Sequence, residues 1–187
     1  MEKYALLVSL LALFFTLFSF WWMNWRKGKL NCGPVSVLYA GTATESSAEF
    51  SQRKIPVLGV PLILWNSGAC PLVISQLRVE LSELGLVWDY ERTQSTFDIN
   101  ASNIEAEYFT MPLSLNSNEI KSINAVFNLR LDGFEFMPRK YKFRVQAMMF
   151  GENKWRDIVA TELDCSKFSK IQIFELAEYC KPYKVGK

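Results

Sequence analysis

The sequence contains no histidine. That absence removes Ser-His-Asp and Cys-His catalysis, histidine-ligated zinc, the two-histidine iron site and histidine general bases. Phosphate cradles of the G-x-G-x-x-G or G-K-[ST] type are missing, as is the D-x-[DN]-x-[DN]-G calcium loop. Neither sign of charge dominates: 21 Lys and Arg against 19 Asp and Glu leave a net charge of +2 over 187 residues. A globally basic nucleic-acid binder and an acidic disordered chain are both excluded on that ground. Cysteine is sparse. Cys32, Cys70, Cys165 and Cys180 are separated by 38, 95 and 15 residues, with no C-x-x-C pair. This spacing fits no zinc knuckle, iron–sulfur motif or disulfide-dense scaffold, so no metal or cofactor is expected. The thiols read as free and buried. A domain facing outward, with Cys165 and Cys180 closing a short loop, stays open as the alternative.

What the chain does have is apolar surface: half its residues are hydrophobic, including 14 Phe, 7 Tyr and 6 Trp. Much of it comes first. From Tyr4 to Trp25 there are 22 residues without a charged side chain. As a helix they span about 33 Å, enough for a hydrocarbon core of about 30 Å. Leu, Phe and Ala surround that helix on all sides, which suits lipid better than a one-faced core. Tyr4 at one end and Trp21, Trp22 and Trp25 at the other read as interfacial anchors, joined by Arg26, Lys27 and Lys29. Ser9 and Thr16 can return their hydroxyls to the backbone and so tolerate lipid. A cleavable signal peptide would end in small residues, whereas this segment ends Trp-Trp-Met-Asn-Trp-Arg. Residues 4–25 are therefore expected to be an uncleaved, single-pass transmembrane helix with the bilayer as its partner.

Arg26, Lys27 and Lys29 follow the helix, while only Lys3, offset by Glu2, precedes it. The positive-inside rule then puts the remainder of the chain in the cytoplasm. Residues 26–34 read as a basic juxtamembrane linker, broken by Gly28, Gly33 and Pro34.

Residues 35–187 read as one domain whose period is two. In Ser75–Ser82, Leu77, Val79 and Leu81 alternate with Gln76, Arg78 and Glu80. Lys121–Asp132 sets Ile123, Ala125, Phe127, Leu129 and Leu131 against Asn124, Asn128 and Arg130. Lys140–Met149 sets Tyr141, Phe143, Val145 and Ala147 against Lys142, Arg144 and Gln146. Such alternation predicts antiparallel strands with one buried face. Shorter strands are predicted at Val35–Ala40, Pro56–Asn66, Gly85–Tyr90, Ile104–Leu115 and Trp155–Leu163. Turns are predicted at Asn66–Pro71, Asn116–Glu119, Asp132-Gly133 and Gly151–Lys154. Thr93–Asn103 reads as a surface connection, and Ser166–Tyr179 as a short helix or a strand covering an edge. About seven or eight strands without long amphipathic helices predict a mainly β fold: an antiparallel β-sandwich behind an N-terminal transmembrane helix.

The apolar run Leu62-Ile-Leu-Trp-Asn-Ser-Gly-Ala-Cys-Pro, the Ile/Leu-rich strand to Leu81 and the later Met111–Phe127 stretch form a layout. It resembles immunoglobulin-like modules of prokaryotic single-pass membrane-anchored proteins. The resemblance covers about residues 35–163 and implies an immunoglobulin-like sandwich; it carries no function. Cys70, Trp88 and Cys165 stand in the order of the antibody-type core, but Cys70 sits in a turn beside Pro71. Leu163 replaces the tyrosine expected two residues before Cys165. The pinning disulfide and the tyrosine corner are not expected.

Catalytic motifs reduce to coincidences. Ser51-Gln-Arg-Lys54 matches S-x-x-K, but its K-T-G and S-D-N partners are absent. Near pairs of carboxylates (Asp89 and Glu91, Glu105 and Glu107, Glu45 and Glu49) fall where one-sided strands put charge. The densest polar cluster is Arg139, Lys140, Lys142 and Arg144, interleaved with Tyr141 and Phe143. It could contact an anionic surface, although strand alternation alone explains it. The chain thus reads as a membrane-anchored, non-catalytic module whose domain recognises a protein partner, with neither nucleic acid nor a small-molecule substrate indicated. An accessory subunit acting through its transmembrane helix is one alternative, although that helix has no small-xxx-small pattern. A Ser- or carboxylate-based hydrolase is the other.

Overall fold

The computed structural model describes residues 2–47, 50–94, 106–107, 111–129, 134, 136–166 and 181–184. It opens with one helix, α1 (Glu2–Asn24), whose hydrophobic side chains are exposed along its whole length. Ser9 donates to Ala5 O (2.9 Å) and Thr16 to Ala12 O (2.8 Å), so both hydroxyls are satisfied inside the helix as expected. Lys3–Asn24 is long and apolar enough to cross a membrane.

The rest is mainly β. Strands follow at β1 (Leu30–Cys32), β2 (Val37–Ser47), β3 (Phe50–Asn66), β4 (Leu72–Leu81), β5 (Leu86–Gln94) and β6 (Ala106–Glu107). They continue with β7 (Leu113–Leu115), β8 (Ile120–Asn128), β9 (Lys140–Met149), β10 (Trp155–Asp164) and β11 (Lys181–Lys184). All pairings are antiparallel, in the order β10-β9-β4-β5-β8-β3-β2-β11, with β1 beside β3, β6 beside β5 and β7 beside β4. The predicted sandwich needs two separate sheets. Here a single hydrogen-bonded sheet curls until it is nearly closed into a barrel. Closure buries one face of strands such as β4, β8 and β9 without a second sheet, and it removes most of the exposed edge.

Alternation puts the core where the sequence predicted it. Leu77, Val79 and Leu81 of β4, Ala125 and Phe127 of β8, and Tyr141, Phe143 and Val145 of β9 are buried and meet in the interior. Asn128 departs from this pattern: it is half-buried and its Oδ1 is enclosed without a partner, where a wet residue was expected. Trp88 is fully buried, edge-on to Phe134 and Phe143 and stacked on Phe136. Tyr141 Oη accepts from Met137 N (2.6 Å), tying the chain entering β9 to the core.

Strand β3 is the longest because its partner changes along it. Residues 50–59 pair with β2 and residues 64–66 with β1, while β8 covers residues 57–65 on the other side. Pro61, which has no N–H to offer, falls in the gap between β2 and β1. Of the predicted strand at Ile104–Leu115, the described residues include β6 and β7, while residues 104–105 and 108–110 lie outside them. Of Ser166–Tyr179 only Ser166 is described, in a turn; residues 167–179, and Cys180 after them, lie outside the described residues, as does the predicted Asp132-Gly133 turn.

Candidate functional site

The antiparallel path sends the 67–71, 116–119 and 150–154 turns to one end of the barrel. That end receives the helix. Residues 26–34, expected to be a linker, instead run directly into the sheet as β1, with Leu30 opposite Asn66 and Cys32 opposite Leu64. Asn66 is the centre of the joint and has no exposed surface. Its Oδ1 accepts from Lys29 N (3.1 Å) and Gly68 N (2.9 Å). Its Nδ2 donates to Cys70 O (2.8 Å) and Asn116 O (3.1 Å). One amide thereby links the chain leaving the helix, the 67–71 turn and the 116–119 turn, with both halves of its hydrogen-bonding capacity used.

Around it the backbone is equally committed. The Arg26 carbonyl accepts from Ala69 N (2.9 Å) and Cys70 N (3.0 Å), and Ser67 N donates to Lys29 O (3.0 Å). The Arg26 guanidinium donates to Ser67 O (2.6 Å) and lies 4.7 Å from the centre of the Trp22 ring. The Cys70 thiol reaches the last helical carbonyl, Asn24 O (3.7 Å). Two glycines make this approach possible. A Cβ at Gly68 would run into the Lys27 carbonyl and Gly28, and one at Gly28 would run into Leu72. Sequence reasoning saw Asn66-Ser-Gly only as a turn. The available signal was Gly28 recurring opposite Gly68, which has meaning only once β1 is known to pair with β3.

The predicted site residues are distributed between this end and the outer face of β4, β9 and β10. Tyr4 stands at the start of α1, Trp21 and Trp22 lie in its last turn and Trp25 just beyond it; all four are exposed. Lys27 and Lys29 are exposed, whereas Arg26 is partly withdrawn into the joint. On the outer face, the basic cluster is mostly partnered. Arg144 pairs with Glu80 (2.8 Å) and Asp157 (3.4 Å). Lys140 pairs with Glu162 (3.0 Å) and Asp164 (3.8 Å), and its hydrogen bond to Glu162, then the charges of both acids, hold its pKa above the usual lysine range. Arg139 stacks 4.9 Å from the Tyr141 ring, and Lys142 is exposed. Gln146 is buried on this outer side because Arg78 Nε donates to its Oε1 (2.7 Å) and its Nε2 donates to Asp157 (2.7 Å). Arg78 in turn covers Trp155 at 4.0 Å. The cluster is one side of a cross-strand charge lattice, not a bare basic patch.

The thiols are spread apart. Cys70 lies at the helix end, Cys165 follows β10 at the opposite end, and Cys32 packs against the core; all three are free. Burial pushes Cys32 up to about 11, partly offset by a backbone hydrogen bond at Ile63. Burial, with the charge of Asp164, pushes Cys165 up to about 11. Both are protonated near neutral pH and unsuited to nucleophilic work there. Ser51 and Lys54 lie in strand β3, not on the helix that the S-x-x-K chemistry needs. Asp89 and Glu91 are exposed on β5 and Glu107 falls in β6, while Glu49 and Glu105 lie outside the described residues. No group of three or more metal-ligating side chains occurs among the described residues.

No protein-family model matches the chain, and no curated protein is significantly similar to it.

Proposed function

We propose that this chain is a membrane-anchored binding module. α1 spans the bilayer, the barrel lies on the cytoplasmic side, and its outer face recognises a protein partner without catalysing a reaction. The observation that carries the reading is the joint: helix and barrel meet with no spacer, through Asn66, Arg26 and the Gly28–Gly68 contact. A tethered enzyme gains little from such a fixed attachment, whereas a recognition surface gains a set height and orientation at the membrane. The β4–β9–β10 face offers features of that kind, with Arg78 held over Trp155 and charges fixed by cross-strand pairs. Arginine and tryptophan are favoured where protein interfaces concentrate their energy. The cationic flank after α1 supports the cytoplasmic side, and the free cysteines accord with a reducing compartment.

The test is site-specific photo-crosslinking of the full chain in native membranes, from Lys142 and, as a control several strands away, from Ser122. The expected result is one discrete protein adduct from position 142, absent from 122 and competed by unlabelled protein. Equal or absent adducts at both positions would remove the recognition reading. A reporter active only in the cytoplasm, fused after Lys187, tests the side; its silence would reverse the orientation.

A further inference from the structure

Besides the helix, the end of the barrel that receives it carries exposed apolar side chains. In the described barrel the two most exposed large hydrophobic residues are Phe150 (74%) and Ile120 (71%). Both belong to this end. Phe150 N donates to Val73 O (2.8 Å), next to Leu72, which packs against Gly28. Ile120 opens β8 opposite Trp65, and Asn66 N donates to the neighbouring Glu119 O (3.1 Å). Exposed apolar residues at the opposite end, Leu84 (43%) and Met137 (49%), are less prominent. Cations flank the pair: Lys121 follows Ile120, and Lys154 follows Phe150. The acids nearby are occupied, Glu119 by Asn116 N (2.6 Å) and Glu152 by Arg156.

Depth follows from the joint. The 67–71 turn touches Asn24 O and Arg26 O, so it lies at the level of Trp22 and Trp25. Tryptophan at a helix end marks the headgroup level, and each polar layer of a bilayer is about 5–8 Å thick. The 116–119 loop is bonded to that turn directly, Ser117 Oγ donating to Gly68 O (3.1 Å), and Phe150 is bonded to Val73, two residues beyond it, so both loops lie beside this layer. We infer that Ile120 and Phe150 enter the acyl–headgroup boundary of the same bilayer, with Lys121 and Lys154 reaching back to lipid phosphates, so that the barrel makes a second membrane contact beside its helix. Isolated exposed hydrophobic residues are ordinary on protein surfaces. Two at the helix-bearing end of the barrel, each followed within four residues by a lysine, match the pattern of an interfacial anchor.

This inference rests on α1 spanning the membrane, and the experiment separates the two ideas. The full chain is reconstituted into vesicles of phosphatidylcholine and phosphatidylglycerol, with an environment-sensitive fluorescent amino acid placed singly at position 13, 120, 150 or 84. Lipids carrying nitroxides near the headgroup or deep in the acyl chain supply the quencher. The expected result is deep quenching at 13, shallow quenching at 120 and 150, and none at 84. Quenching at 13 without quenching at 120 and 150 overturns the second contact and leaves the anchor standing. Loss of quenching at 13 removes the anchor, and the inference with it. The unsubstituted chain gives an independent reading: lipid-borne photo-crosslinkers near the headgroup should label peptides containing residues 116–121 and 149–154. Labelling confined to α1 would overturn the inference.

Discussion

Leucine and phenylalanine meet opposite fates in the two halves of this molecule. In α1, Leu10 and Leu13 are 58% exposed and Phe14 is 66% exposed; in the barrel, Leu58, Leu62 and Phe127 are completely buried. At about 25 cal/mol per Å² of apolar surface, the barrel side chains drive the chain to fold on itself. The same chemistry in α1 finds no partner among the described residues, and its apolar surface is left for another medium such as lipid. The sheet has one dry face and one wet face, hence period two; the helix has a single environment all round, hence no period. Pattern and composition together therefore distinguish a residue that holds the protein together from one that holds it in place.

The sharpest way to break this comparison is a charge inside the barrel. Ala125→Glu puts an unpaired carboxylate where no surface is exposed, and the full chain in detergent should lose its cooperative melt. Melting within a degree or two of wild type would remove β8 from the core. Phe127→Ala should cost about 3–5 kcal/mol in denaturant unfolding, through lost transfer energy and a residual cavity. Leu13→Arg should raise the free energy of insertion by about 2.5–3.5 kcal/mol and leave the barrel's melting temperature unmoved. A fall in that temperature would show that α1 packs on the barrel after all. At the joint, Asn66→Ala strips partners from the buried Gly68 N–H and the Lys29 N–H, and should cost about 2 kcal/mol, read as faster hydrogen exchange at those amides. The mildest probe is alkali. Below the ordinary thiol value of 9.0, Cys32 and Cys165 are protonated in both states; between there and about 11 the unfolded chain ionises first. Barrel stability should therefore decline over that window, and less steeply in a Cys32→Ala/Cys165→Ala variant.

Sequence alone located much of this architecture, for reasons visible in particular residues. Lys140–Met149 was legible to the residue because charged and large apolar side chains alternate strictly from Lys140 to Val145. The first third of β3, Phe50 to Ile55, was not, since Ser-Gln-Arg-Lys has no apolar face to count. Alternation reports which residues turn inward but not which strands neighbour one another, so one curled sheet and two stacked sheets share the same pattern. The basic cluster was legible as charge, and its partners were not: Glu80 and Asp157 lie on different strands from Arg144. The joint was hidden for a related reason. Backbone groups and one asparagine build most of it, and backbone leaves no trace in composition.

The Gly28–Gly68 contact and the short β1 ladder also have a mechanical meaning. A tethered domain on a slack leash is deaf to its anchor. Here a tilt or turn of α1 is delivered to the barrel as torque, through a joint whose hinge has been hydrogen-bonded shut. A pull on α1 would load the Arg26 and Lys29 hydrogen bonds before it reached the three residue pairs between β1 and the end of β3. The joint therefore works as a coupling between helix and barrel.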